Sequence, residues 1–278
     1  MASSLDRITA ATRRRIAVAK HSWDLRDLER TAERHIPRGF RHCLEANRSR
    51  PAVIAELKKA SPSRGLIRSD FDPRSLAIEL EQAGAAALSV LTDEEFFQGS
   101  LENLRCASSS THLPCLRKDF IVDEIQVLEA RASKADAILL IAAALSQTEL
   151  ERLLDRAQQY GLDVLCEVHN REEIQRATDA GCNLIGVNNR DLHTFRVDLD
   201  TALRLADLIP TEALPVAESG IHGGADIAHL RDAGYRAFLI GEFLMQAKSP
   251  GAALQTLIAE ANPRLAGSRE RETGADRR

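Results

Sequence analysis

From Val53 onward, short apolar segments alternate with longer segments whose apolar positions recur at helical spacing. The short ones read as strands: "AVIAEL" from Ala52, "AALSVLT" from Ala86, "PCLRKD" from Pro114 and "AILLIA" from Ala137. "DVLCEV" from Asp163, "LIGVNN" from Leu184, "PVAES" from Pro215 and "AFLIGE" from Ala237 complete the set. Amphipathic helices lie between them, such as "PRSLAIELEQAG" from Pro73 and "QTELERLLDRAQQYG" from Gln147. Gly84, Gly161, Gly181 and Gly234 each stand just before the next strand, where a helix C-cap favours left-handed backbone. Crossovers of this length predict parallel pairing. A closed (β/α)8 barrel and a doubly wound open sheet compete. Strand-to-strand spacing is even, roughly 20–35 residues, which suits the barrel. No G-x-G-x-x-G follows the first strand, so the open dinucleotide-binding sheet loses its main signal. The expected fold is therefore an α/β (β/α)8 TIM barrel.

Residues 1–48 precede the first strand. Leu5, Ile8, Ile16 and Val18 give loose helical spacing. The first twenty residues are rich in arginine and poor in acids, one mark of a transit peptide. No signal-type apolar stretch follows them, and a surface helix is predicted. "DLRDLERTAERH" and "RGFRHCLEAN" also read as helices, expected to cover one end of the barrel. The expected division is an N-terminal helical extension (1–48), the barrel (49–261) and a polar tail (262–278) too charged to pack.

Composition narrows the function. Hydrophobic residues make up 44% of 278, enough for a sizeable core. The net charge of −4 is spread as interspersed acids and bases, which excludes the basic face that nucleic acid or a membrane surface needs. The longest apolar run, "AILLIAAAL", is about half a membrane span. Cys43, Cys106, Cys115, Cys166 and Cys182 are odd in number and show no C-x-x-C spacing. That predicts a reducing compartment, hence the cytoplasm, and no structural zinc. Cys115 and Cys166 sit inside apolar runs and are expected to pack in the core. Whether the chain is a monomer or a weak homodimer is open at this level.

In such barrels the chemistry gathers at the C-terminal ends of the strands. The predicted ends carry Glu56 and Lys58; Thr92 and Asp93; Arg117, Lys118 and Asp119; Glu167 and His169; Asn188, Asn189 and Arg190; Glu218 and Ser219; and Gly241. The fourth strand ends only in alanines. Alternation puts i and i+2 on one face. Glu56 and Lys58 thus share the interior face and Lys59 takes the other, while Lys118 sides with Leu116 and Glu167 with Leu165. Ordinary loop charge would explain one or two of these residues. Lysines, glutamates and an asparagine converging on one mouth predict a site for a charged ligand.

A second signal lies in "ESGI" and "IGEFLM", which set small residues before short helices. The loops after strands 7 and 8 are the usual phosphate site of this fold. Gly220, Gly223, Gly224 and Gly241 would let a phosphate approach the backbone. His169 lies two residues beyond Glu167, but no further His or Cys completes a metal set, and no metal or cofactor is expected. Asp93, Glu94 and Glu95 read as a solvated loop leading into a helix. "FFQGS" suits either a pocket wall or a packed loop.

The segments "IAELKKASPSRG", "SVLTDEEFFQGS", "LRKDFIVDEIQVLEAR", "LCEVHN", "IGVNNRDLHTF", "VAESGI" and "AFLIGEFLM" together resemble indole-3-glycerol phosphate synthase of tryptophan biosynthesis. The resemblance runs from about Ile54 to Met245, and "LDRI" and "RGFRHCLEA" resemble that family's extra N-terminal helices. Leu57 and Arg64 depart from the commoner isoleucine and lysine of the first motif. The resemblance implies a carboxy-lyase that closes 1-(2-carboxyphenylamino)-1-deoxyribulose 5-phosphate to indole-3-glycerol phosphate, losing carbon dioxide and water. It implies Lys118 as general acid at the ketone oxygen and Glu167 as acid/base partner in the dehydration. Lys58 would hold the anthranilate carboxylate or donate a proton. Glu56, Asn188 and Glu218 would orient these groups. Ser61, Arg190, Ser219, Gly220 and Gly241 are the implied phosphate and support residues.

Two rivals remain at this level. Phosphosugar isomerases of tryptophan or histidine synthesis that use an Asp or Cys pair would need those groups on strands 1 and 5, where Glu56 and Glu167 stand. An inactive binding barrel would be expected to lack Lys118 or Glu167.

Overall fold

The computed structural model describes residues 4–20, 23–46, 50–191 and 194–262. Eight parallel strands close into a barrel: β1 (Ala52–Leu57), β2 (Ala87–Leu91), β3 (Cys115–Lys118), β4 (Ala137–Ile141), β5 (Asp163–Val168), β6 (Leu184–Asn188), β7 (Leu214–Glu218) and β8 (Ala237–Ile240). β8 pairs back onto β1, with Ala52 opposite Ala237 and Ile54 opposite Leu239, so no edge is left open. Three helices precede the barrel: α1 (Ser4–Ala19), α2 (Leu25–Glu33) and α3 (Phe40–Ala46). α4 (Pro73–Gln82) follows β1, α5 (Glu94–Phe97) and α6 (Leu101–Ser109) follow β2, and α7 (Glu124–Ala132) follows β3. α8 (Gln147–Gln159), α9 (Arg171–Asp179), α10 (Asp200–Leu205) and α11 (Gly224–Asp232) follow β4 to β7 in turn. α12 (Glu242–Gln246) and α13 (Pro250–Glu260) follow β8. This is the TIM barrel that the alternating pattern predicts.

The local signals act as expected. Asp72, with Pro73 behind it, caps α4, and Ser146 and Glu149 form a reciprocal capping box on α8. The four predicted C-terminal glycines, Gly84, Gly161, Gly181 and Gly234, all take positive φ.

The strands bury both faces. Ile54, Leu116, Leu139, Leu165, Leu184, Val216 and Leu239 pack inside the barrel. Val53, Ala55, Leu57, Cys115, Cys166 and Phe238 pack outward beneath the helices. The predicted alternation of β1, β3 and β5 is therefore the observed one.

The N-terminal segment covers both ends of the barrel, not one. Phe40 and Leu44 of α3 pack among Ala52, Ala87, Ala137 and Ala237, the small residues where the strands begin. The loop before α3 is anchored on Asp136. That fully buried carboxylate accepts the Arg38 backbone N–H at 2.8 Å, Arg38 Nε at 3.1 Å and the Cys115 backbone N–H at 2.6 Å. Such a charge is tolerable in the interior because each oxygen is paired. α1 goes to the opposite end, with Leu5, Ile8 and Ile16 buried and Arg13 ion-paired to Glu149 of α8 at 2.9 Å. Val18 does not join this buried face and is 75% exposed. Among the described residues no helix is long and apolar enough to cross a membrane. The predicted tail lies, beyond Asn262, outside the described residues.

Candidate active site

A cavity of about 570 Å³ opens at the C-terminal mouth of the barrel. Its floor holds side chains from alternate strands: Glu56 of β1, Lys118 of β3, Glu167 of β5 and Glu218 of β7. Barrel interiors are filled in layers of four, each supplied by alternate strands, usually with branched apolar residues. Here one such layer is a lysine and three glutamates, above an apolar layer that includes Leu139 and Leu239.

Room for the carboxylates comes from the strands in between. A Cβ at Gly186 of β6 would overlap Glu218 Oε1, and one at Gly241, just after β8, would overlap Glu56 Oε1. Gly241 borders the cavity, but its contact with Glu56 gives it a second reason to lack a side chain.

Lys118 Nζ lies 3.2 Å from Glu167 Oε2 and 3.7 Å from Glu218 Oε2. Burial opposes its charge, but Glu167, Glu218 and Glu56 outweigh burial and raise its pKa. The glutamates do not share this benefit equally. Burial would raise Glu167, yet Lys118, His169 and a hydrogen bond from Asn188 hold it well below the usual carboxylate range. Glu218 is farther from Lys118, and its Oε1 has no hydrogen-bond partner. Burial and the negative charge of Glu167 push Glu218 up to about 8. The buried carboxylates beside this one ammonium are thus driven apart, Glu167 held low and Glu218 pushed up. Glu56 stays ionised, since Lys58 Nζ at 2.7 Å and Lys118 overcome the cost of its burial.

Of the two charges flanking Lys118, Arg117 on β3 faces outward, as alternation requires, and Asp119, just past the strand end and also bordering the cavity, pairs with it. Arg117 pairs with Asp119 at 2.9 Å and with Glu129 of α7 at 2.8 Å, and it donates to the Gln126 carbonyl at 2.8 Å. Asp119 also accepts from Thr92 Oγ1 at 2.7 Å, while the Thr92 backbone N–H donates to the Lys118 carbonyl at 3.1 Å. This buried cluster fixes the end of β3 around the lysine.

The other end of the cavity is bounded by the loops after β1, β6, β7 and β8. Ser61 sits in a small antiparallel hairpin formed by Ala60–Ser61 and Gly65–Leu66. Asn188 Oδ1 accepts the Arg190 backbone N–H at 3.0 Å. Ser219 and Gly220 are both left-handed, at φ 65° and 81°, and a Cβ at Gly220 would stand 2.5 Å from Val197 Cγ1. Arg190 Nη2 reaches Glu242 Oε2 at 3.3 Å, and Arg64 Nε reaches Glu242 Oε1 at 2.8 Å.

The site residues expected from the sequence, Glu56, Lys58, Ser61, Lys118, Glu167, Asn188, Arg190, Glu218, Ser219, Gly220 and Gly241, all border this one cavity. Gly223 and Gly224 do not. A Cβ at Gly224 would collide with Glu260, so that glycine serves the packing of α11 on α13. Asp93 is not solvated: it is 2% exposed and caps α5 by accepting the Phe96 N–H at 2.7 Å.

Leu5, Ile8 and Phe120 border the cavity without a readable signal of it in the sequence. Leu5 and Ile8 reach the cavity from α1, and Phe97 meets Phe120 with ring centroids 6.2 Å apart. "FFQGS" hinted at the Phe97 wall, but Phe120 and α1 are brought in by tertiary contacts. Glu242, which links Arg64 and Arg190, was also unmarked. Among the described residues no three His, Cys, Asp or Glu side chains converge as a metal site would need.

The family model described as indole-3-glycerol phosphate synthase matches residues 5–257. The indole-3-glycerol phosphate synthase of Koribacter versatilis (strain Ellin345) is 60% identical over 93% of this chain and 100% of its own length. That of Chlorobium luteolum (strain DSM 273 / BCRC 81028 / 2530) is 50% identical over 88% of this chain and 94% of its own. Among solved structures, a thiamine phosphate pyrophosphorylase from Pyrococcus furiosus superposes with a TM-score of 0.59 at 17% identity. It spans 78% of this chain and 98% of its own, a likeness of fold alone.

Proposed function

The chain belongs to the indole-3-glycerol phosphate synthase family, and from that premise we propose how its own residues carry the reaction. The reaction closes 1-(2-carboxyphenylamino)-1-deoxyribulose 5-phosphate to indole-3-glycerol phosphate with loss of carbon dioxide and water. The observation that carries the assignment is the position of Lys118 Nζ on the cavity floor between Glu167 and Glu218.

Ring closure joins the carboxylate-bearing ring carbon to the ketone carbon. The carbonyl electrons move to oxygen, which needs a proton as it becomes a hydroxyl. Lys118 supplies it; a developing alkoxide is basic enough to take a proton even from an ammonium of raised pKa. Carbon dioxide then leaves, and the electrons of the broken bond restore the aromatic ring. In the dehydration the hydroxyl departs as water with a proton from a lysine, and Glu167 takes the proton of the neighbouring methylene carbon. Glu167 suits this task because it stays ionised beside Lys118.

Lys58 meets the anthranilate carboxylate or donates the second proton, and Glu56 orients it from 2.7 Å. Asn188 and Glu218 hold Glu167, Lys118 and the substrate hydroxyls. Phe97, Phe120, Leu5 and Ile8 give the aromatic ring an apolar wall. The phosphate goes to the opposite rim, where Ser61, Arg190, Ser219, Gly220 and Gly241 border the cavity. A dianion there competes with Glu242 for Arg190, which it can do because a guanidinium pairs with phosphate bidentately.

The test is direct. Purified protein incubated with the carboxyphenylamino-deoxyribulose phosphate produces indole fluorescence, and Glu167→Gln abolishes it while substrate still binds. A Glu167→Gln variant with activity near wild type would remove Glu167 from the chemistry.

A further inference from the structure

His169 does not border the cavity, yet it connects to the chemistry through Glu167. Its ring lies between two carboxylates: Nε2 is 3.4 Å from Glu167 Oε1, and Nδ1 is 3.0 Å from Glu173 Oε2. We propose that His169, anchored by Glu173, is a positioning residue that holds the Glu167 carboxylate toward Lys118 and balances its negative charge. This rests on the reading of Glu167 as the base of the dehydration.

The anchor is rigid. Glu173, in the first turn of α9, accepts the His169 backbone N–H at 2.8 Å on the oxygen that also faces Nδ1. Its other oxygen accepts from Asn170 Nδ2 at 2.7 Å, and its own N–H donates to Asn170 Oδ1 at 2.9 Å. A carboxylate engaged in this way is an acceptor, so Nδ1 of His169 is a donor. The far nitrogen is then decided by Glu167. A neutral ring would turn the Nε2 lone pair toward Glu167 Oε1. A proton between the two removes that repulsion, and the imidazolium is the form both neighbours favour.

The charged groups around the ring agree. Glu167 comes from β5, Glu173 from α9 and Glu218 from β7, with Lys118 of β3 on the far side of Glu167. Burial opposes the ring's charge, but Glu167 and Glu173 overcome it and push His169 up to about 10. Nε2 is buried with no hydrogen-bond partner among the described residues, so its approach to Glu167 Oε1 at 3.4 Å is an ion pair, not a formed hydrogen bond.

Glu167 thus has each oxygen assigned, Oε2 to Lys118 and Oε1 to His169. Without the ring, Oε1 loses its cation, and only Lys118 and Asn188 are left to hold the carboxylate in place. Its pKa also rises, because an opposite charge has been removed from a buried site.

The experiment measures pH–rate profiles of the full chain as wild type, His169→Gln, His169→Ala and Glu173→Gln, with ring ¹⁵N shifts of His169 followed by NMR. The amide of His169→Gln can donate a hydrogen bond but carries no charge. The expected result is an acid limb of kcat/KM moved upward by about one unit or more in both His169 variants. Their kcat falls about tenfold with little change in KM, since loss of alignment acts on the chemical step. Glu173→Gln moves the limb in the same direction by less. In wild type the ring stays doubly protonated through pH 8. An unmoved acid limb overturns the proposal, and so does a His169 ring that titrates at its ordinary value. The NMR titration needs no variant, so it decides the matter even if the His169 variants fail to fold. Glu167→Gln separates the two readings. If it stays active, His169 has no base to position and both fall. If it is inactive while the limb and ring shifts are ordinary, only the role of His169 falls.

Discussion

Gly186 of β6 leaves the space that the Glu218 carboxylate of β7 fills. A Cβ at position 186 would overlap Glu218 Oε1 and lie 3.0 Å from Leu165 Cδ1. Neither neighbour can retreat easily, since both are buried in the barrel interior. Gly186→Ala is therefore expected to cost about 1–3 kcal/mol of stability by overpacking. It also displaces Glu218 from beside Lys118, so kcat should fall by at least about tenfold. Thermal melts and steady-state kinetics on the same preparation check both; an alanine variant with wild-type kcat would mean that Glu218 need not hold its place.

Lys118→Met removes the ammonium from a layer that otherwise contains only carboxylates. Turnover is expected to fall about 10²–10⁴-fold, the usual worth of a positioned acid. Substrate binding, followed by fluorescence titration, should survive better than turnover. Activity within a few-fold of wild type would exclude Lys118 as the acid.

The adjacent lysines after β1 should behave differently. Lys58 borders the cavity and pairs with Glu56, whose side chain is 6% exposed. Lys58→Met takes away that carboxylate's ion-pair partner and leaves it only the field of Lys118; breaking a buried pair costs about 3–5 kcal/mol, and kcat/KM should collapse with it. Lys59 follows the outward face of Ala55 and Leu57, and its carbonyl accepts the Ile67 and Arg68 N–H groups, which any residue's backbone can do. Lys59→Met should stay within the range of about 0.5 kcal/mol typical of surface changes. The comparison is kcat/KM for both variants under one set of conditions; Lys59 as the costlier loss would contradict the inward assignment of Lys58.

Glu218 makes stability depend on pH in a definite direction. Its pKa is about 8 in the fold against an ordinary 4.5. Below about pH 4.5 it is protonated whether the chain is folded or not, and its contribution is constant. Between 4.5 and 8 the folded chain keeps a proton that the unfolded chain releases, so stability falls as pH rises. Above 8 the fall levels off. Glu218→Gln cannot titrate and should lack this component. Denaturant melts of both proteins from pH 5 to 9 should diverge toward alkaline pH, with the glutamine variant gaining relative to wild type. A constant difference across that range would mean that Glu218 is ionised in the folded state.

Much of the site was legible because alternation along a strand is a local property. A period of two places Glu56, Lys58, Lys118 and Glu167 on one set of faces whatever the partners are. Capping chemistry is equally local, and Gly84, Gly161, Gly181 and Gly234 took the left-handed backbone read from their places. Asp93 was misread because it looks like loop charge in isolation. Its burial depends on α5 folding over it. Gly224 was misread because α13, which needs its missing side chain, is distant in sequence.

The sequence by itself determined the barrel, the strand faces and the mouth at which the charges gather, because periodicity and length of crossover act within single units. Only the tertiary structure decided which carboxylate meets which cation. Barrel closure brings β1, β3, β5 and β7 across a common axis, where burial and neighbouring charge drive the carboxylates apart: Glu167, 3.2 Å from Lys118, is held low, and Glu218, at 3.7 Å with an unpartnered oxygen, is pushed up. The same closure brings α1 to the mouth and α3 to the opposite end, because each must bury its apolar face and the barrel offers one open end to each.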